Sequence, residues 1–86
     1  MSDFRLASAG NVMVPAFLVL REKGFAIRCE RTKEDESWFA EKPGLSFIGD
    51  GPLELLGLVA LYEARGTEWK APDDEIEAFL AAFDPP

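Results

Sequence analysis

Histidine is absent from this 86-residue chain, and cysteine occurs once, at Cys29. Zinc and copper are usually held by histidine and cysteine, so the sequence argues against such metal sites. One cysteine cannot form an intrachain disulfide, and a nucleophilic cysteine needs a nearby base, which is commonly a histidine. We therefore interpret Cys29 as a small buried apolar residue, and we predict no catalytic residue, no metal site and no cofactor.

Basic residues are also scarce, because nine Lys and Arg stand against 16 Asp and Glu, for a net charge of −7. Nucleic acids and anionic membranes are bound by basic surfaces, so we expect neither as a partner. The longest apolar run, residues 12–20, falls short of the roughly 20 residues that span a bilayer. The first residues do not resemble a secretory signal, so we expect a cytoplasmic location.

The chain has enough apolar material for one small folded domain over residues 1–86. Its composition is 48% hydrophobic and 29% charged, which is ordinary for a globular protein. A domain of this length buries only about 60% of the surface that its unfolded form exposes. We therefore expect a real but thin core.

The first half of the sequence predicts strands around one helix. Residues 4–6 alternate apolar and polar, as in a short strand, and residues 12–23 form a helix whose regular part begins at Pro15. Alternation in residues 25–30 gives the clearest strand, with Phe25, Ile27 and Cys29 facing inward. Residues 38–41 resume extended structure, and residues 45–48 form either a further strand or half of a bent one.

Two helices are predicted in the second half. Pro52 begins the first, which runs to Arg65 and is closed by Gly66. The second begins at Pro72 and ends at residues 84–86, with acids in its first turn. Its apolar side chains form one stripe at helical spacing: Ile76, Phe79, Leu80 and Phe83.

These elements predict an α+β domain of order β-α-β-β-α-α. We expect a small mixed sheet of three or four strands, with the first two joined by a right-handed crossover and the helices packed mainly on one face. The helix that begins at Pro52 should lie between the sheet and another helix, because it is apolar on almost every side.

Excess apolar helix surface is the main functional indication in the sequence. Leu58 and Leu61 flank the narrow polar line of the helix that begins at Pro52, so a third helix or a second chain must cover them. Large exposed apolar patches are unusual on monomers. We therefore predict a protein partner or self-association.

The leading hypothesis is a small acidic non-enzymatic protein that binds another protein, such as an inhibitor or immunity-type factor with a basic target. The predicted contacts are the acids Glu34, Asp35 and Glu36, with Trp69 as an apolar anchor. The alternatives are a homodimeric structural or accessory subunit, a small-ligand-binding domain and, fourth, an enzyme that uses carboxylates or Cys29 in a cleft.

Overall fold

The computed structural model describes residues 3–83 and shows an α+β fold of order α-β-β-β-α-α. A 3₁₀ turn, Gly10–Val12, leads into the first helix, and a second, Gly66–Glu68, follows the second helix. The elements are α1 (Met13–Glu22), β1 (Ala26–Arg31), β2 (Glu36–Lys42), β3 (Leu45–Gly49), α2 (Pro52–Arg65) and α3 (Asp73–Phe83). The predicted α+β class is confirmed, and the described residues contain one three-stranded sheet.

The three strands form an antiparallel meander in the order β1-β2-β3. Its register aligns Ile27 with Ala40 and Ala40 with Phe47, so these side chains share one face of the sheet. The predicted strand over residues 25–30 is confirmed apart from Phe25, which lies just before β1. Residues 45–48 belong to a separate strand, β3.

The predicted first strand at residues 4–6 is wrong, and so is the mixed sheet. Residues 4–6 have no regular structure, and Phe4 and Leu6 are exposed. A three-residue alternation cannot fix a strand unless a neighbouring strand takes its backbone hydrogen bonds, and none in residues 3–83 does so. Without a strand before α1, the sheet needs no parallel crossover.

Helices α1 and α2 pack against each other and against the same face of the sheet, as predicted. The core between these layers consists of Leu20, Phe25, Ala40, Leu55 and Val59, each at most 4% exposed. Helix α1 begins two residues before the predicted start, with Pro15 in its first turn. Proline is tolerated there because a first-turn N–H has no intrahelical acceptor.

Helix α2 has the predicted bounds. Pro52 stands at its start, and Gly66 adopts a φ of +68°, which favours glycine, and donates its N–H to the Tyr62 carbonyl. The helix does not lie between the sheet and another helix, because α1 is beside it and its outer side is open.

Helix α3 is the largest departure from expectation. The apolar stripe predicts burial, but α3 contains no buried residue and has no extensive packing on the sheet, α1 or α2. Within residues 3–83, α3 is joined to α2 by an ion pair between Glu75 Oε1 and Arg65 Nη2, which lie 3.4 Å apart. The predicted stop at residues 84–86 lies outside the described part of the chain.

Candidate functional site

An open groove runs between β3 and the second half of α2. Its volume is 480 Å³. Its lining is mainly apolar and comes from β3, α2 and the segment after α2: Leu45, Phe47, Ile48, Leu58, Leu61, Tyr62 and Trp69, with Gly44, Ser46, Gly66 and Thr67. The structure therefore brings together three predicted contact residues, Leu58, Leu61 and Trp69.

Strand β3 forms one wall because it is an edge of the sheet. Leu45 and Phe47 lie on the helix-facing side and pack against the core. Phe47 makes edge-to-face contacts with two rings, at centroid distances of 5.7 Å to Phe25 and 5.8 Å to Tyr62. These aromatic contacts hold the wall in a defined position.

Helix α2 forms the opposite wall through residues at helical spacing. Leu58, Leu61 and Tyr62 stand at i, i+3 and i+4 and share one side of the helix, whereas Leu55 and Val59 face the core. Leu58 is half-buried, and Leu61 is 38% exposed. The apolar excess of α2 is thus divided between the core and the groove.

Trp69 lies at the end of the groove. The left-handed backbone at Gly66 ends α2, and the 3₁₀ turn that follows carries the chain back to the groove. The indole is 50% exposed, with the Lys70 ammonium 5.8 Å from its ring centroid. A half-exposed tryptophan beside other apolar side chains is typical of interface anchors.

The stripe of α3 is a second open apolar surface. Ile76 and Leu80 are each 46% exposed, Phe79 is 61% exposed and Phe83 is 75% exposed. The rings of Phe79 and Phe83 lie 5.1 Å apart, so they form one continuous patch. We call these four side chains the α3 stripe.

The predicted acidic contacts do not join the groove. Glu34 and Asp35 occupy the turn between β1 and β2, where Thr32 Oγ1 accepts the Asp35 N–H at 2.9 Å. The groove begins at Gly44, in the turn at the other end of β2. Seven residues of β2 separate the two turns by roughly 20 Å, so one small contact cannot use both.

Glu36 is engaged within its own hairpin. Its Oε1 accepts the Trp38 Nε1–H at 2.7 Å, and its Oε2 lies 3.3 Å from Arg31 Nε. The hydrogen bond from Trp38, followed by that from Arg31, lowers the pKa of the Glu36 carboxyl. Much of its charge is therefore already paired within the chain.

Cys29 is half-buried on β1, with its Sγ 3.7 Å from Glu36 Oε1. Partial burial is the main cause that raises the pKa of the thiol, although Arg31 opposes the effect. A raised thiol pKa disfavours the thiolate, which is the nucleophilic form.

Some of the groove was not predicted from the sequence. Leu45, Phe47 and Tyr62 are not among the predicted contacts, because the sequence leaves open the register of residues 38–48 and therefore which residues of β3 meet α2. The alternation of Leu45 and Phe47 after Gly44 is the available signal for β3, but it indicates a buried face and does not identify a sheet edge.

Comparisons with known proteins give no relative from which a function could be transferred. No protein-family model matches the chain, and no curated protein and no solved structure matches it either. Among residues 3–83, no helix is long and apolar enough to cross a membrane. The same residues contain no group of three or more Cys, Asp or Glu placed to hold a metal ion.

Proposed function

We propose that this protein acts by binding a polypeptide rather than by catalysis, and that the groove between β3 and α2 is its binding surface. The observation that carries the proposal is the groove itself: 480 Å³ of open space with apolar walls and a half-exposed tryptophan at one end. Amphipathic helices commonly bind in such grooves through anchors at i, i+3, i+4 and i+7. We also propose that the protein is located in the cytoplasm.

A non-enzymatic role is consistent with the chemistry of the described side chains. The Cys29 thiol has a raised pKa, and the neighbouring Glu36 carboxylate already accepts hydrogen bonds from Trp38 and Arg31. A catalytic pair would need a group poised to ionise near neutral pH.

The test is binding of a dye-labelled peptide to the full-length Phe79→Glu chain, followed by fluorescence anisotropy. Phe79→Glu disrupts the α3 stripe of the chain itself, so this stripe does not compete with the probe, and the two α2 variants below are made in the same chain. The probe is a peptide of residues 72–83, which carries apolar anchors at the required spacing. Leu61→Glu places a charge in the groove and should abolish binding. Ala64→Glu is the matched control, because Ala64 is exposed on α2 and does not line the groove. Equal binding by both variants would refute the groove as the site.

A small apolar ligand is the second candidate occupant, because the groove volume lies within the roughly 300–1,000 Å³ of ligand sites. An environment-sensitive apolar dye that binds and is not displaced by the peptide would favour this alternative. Displacement by the peptide would favour polypeptide binding.

An inhibitor or immunity-type role is the narrower form of the proposal. It rests on the net charge of −7 and on the exposed turn that carries Glu34 and Asp35. Because this turn is remote from the groove, a basic target would need either a second contact or a large footprint. Neutralising both acids, with Glu34→Gln and Asp35→Asn, should then weaken such a complex and reduce its dependence on salt.

A further inference from the structure

We infer that the polypeptide in the groove is helix α3 of a second copy of this chain, and that two copies exchange α3 reciprocally. The inference rests on the proposed function, because it names the partner for the same groove. The chain would then carry both halves of its own interface: the groove between β3 and α2, and the α3 stripe.

The exposed area of one chain has the size that such an exchange requires. The accessible surface is 7080 Å², whereas a compact monomer of this mass exposes about 5,000 Å². The excess is roughly 2,000 Å² per chain, or about 4,000 Å² for two chains. This is an upper limit for the exchange, because Phe4, Leu6 and Val14 lie outside α3 and the groove and are 87%, 72% and 65% exposed. Obligate dimer interfaces bury roughly 2,000 to 5,000 Å².

The extended shape of the chain agrees with this excess. The Cα radius of gyration is 15.9 Å, whereas a compact domain of 86 residues has about 12 Å. Helix α3 has no extensive packing on the domain, so it adds to the dimensions of the chain while burying little surface.

The α3 stripe matches the groove in chemistry and in length. Its four residues stand at i, i+3, i+4 and i+7, which is the spacing of a helix that docks in a groove. The stripe extends about 10 Å along the helix axis, and the five residues of β3 extend about 16 Å. Lys70 stands at the groove end beside Trp69, where it can face the acidic first turn of an incoming α3.

The connection before α3 favours a second copy over the chain's own helix. Trp69 belongs to this connection and itself lines the groove. Pro72 favours extended backbone at Ala71, and the helix that follows makes no extensive contact with α1, α2 or the sheet of its own chain. Two copies related by a two-fold axis would fill both grooves with one set of contacts.

The experiment is sedimentation equilibrium of the full chain and three variants, from nanomolar to high micromolar concentration. The wild-type chain should be a dimer over most of this range. Phe79→Glu in the stripe and Leu61→Glu in the groove should each weaken dimerisation by at least 100-fold, since each places a charge in an apolar contact. Ala81→Glu adds the same charge to the far side of α3 and should leave the dimer intact.

Mixing the two disruptive variants tests reciprocal exchange directly. The Phe79→Glu chain keeps an intact groove, and the Leu61→Glu chain keeps an intact stripe. One α3–groove contact can therefore form between them, and the mixture should form heterodimers more strongly than either variant forms homodimers. A dimer that pairs α3 with α3 would survive Leu61→Glu, and this result would overturn the inference.

A monomeric wild-type chain at all concentrations would also overturn the inference. Binding of the labelled 72–83 peptide to the full-length Phe79→Glu chain separates this failure from failure of the proposed function. If the peptide binds a chain that never dimerises, the groove accepts a helix but the partner is not a second copy. If the peptide does not bind either, both the groove and its occupant are refuted.

Discussion

Shortening two leucines of α2 tests how the helix divides its apolar surface. Leu55 is fully enclosed, whereas Leu61 is 38% exposed at the groove. Leu55→Ala and Leu61→Ala remove the same atoms from the interior of the same helix, so the change in helix propensity is equal. The difference between the two losses in the free energy of unfolding therefore measures how differently the two side chains are buried.

The expected magnitudes follow from the surroundings of each side chain. Leu55 packs on the backbone of β3 at Gly49. The contact is close enough that a methyl group added at Gly49 would lie 3.6 Å from Leu55 Cδ2. Backbone on one side limits collapse of the cavity, so Leu55→Ala should lower the free energy of unfolding by about 3 kcal/mol. Leu61→Ala leaves no closed cavity, and within one chain it should cost about 1 kcal/mol or less.

Urea unfolding followed by circular dichroism measures both costs. A folded chain of 86 residues typically has a total stability of about 4 to 13 kcal/mol, so the loss at Leu55 is a large fraction of it and should shift the urea midpoint clearly. The cost of Leu61→Ala should grow with protein concentration if the groove is filled by a second copy. Equal costs at low concentration would mean that α2 does not present these two faces as described.

Three further results are expected from the folded chain. Gly57→Ala should raise the free energy of unfolding by about 0.5 to 1 kcal/mol, because an added Cβ meets nothing within 4 Å. Gly66→Ala should lower it by about 1 to 3 kcal/mol, because φ at Gly66 is +68°. Paired thermal melts measure both changes. Because the pKa of Glu36 is lower in the folded chain than in the unfolded chain, its ionised carboxylate stabilises the fold. This stabilisation is complete above the unfolded pKa of about 4.3 and is lost as the pH falls through the folded value. The stability difference between wild type and Glu36→Gln should therefore shrink on acidification, and an unchanged difference would refute the pairing. A thiol reagent should modify Cys29 more slowly in the native chain than in urea, because burial raises its pKa.

Local signals in the sequence predicted the elements whose ends are fixed locally. Helix α2 is bounded by Pro52 and Gly66, and both act through their own backbone geometry. The alternation of Ile27 and Cys29 likewise indicated β1, because a strand with one buried face repeats every two residues.

Features that depend on distant neighbours were not predictable in the same way. Residues 4–6 carry a strand pattern but have no adjacent strand in the described part of the chain. The α3 stripe indicates that the helix needs an apolar partner, but periodicity cannot say whether the partner is its own core or another chain. The leading hypothesis from the sequence places the hairpin acids and Trp69 on one contact surface, yet the length of β2 separates them.

The net charge of this chain opposes self-association, whereas its exposed apolar surface favours it. The response of binding to added salt distinguishes the two effects. Two copies at −7 each repel one another, whereas their exposed apolar surfaces favour contact. Salt at 0.1 M screens exposed charges beyond about 10 Å, which weakens the repulsion and leaves apolar burial in place. Added salt should therefore strengthen self-association through α3. The same addition should weaken a complex between the acidic turn and a basic target, because its attraction is electrostatic. The sign of the salt dependence thus identifies which of the two surfaces governs binding.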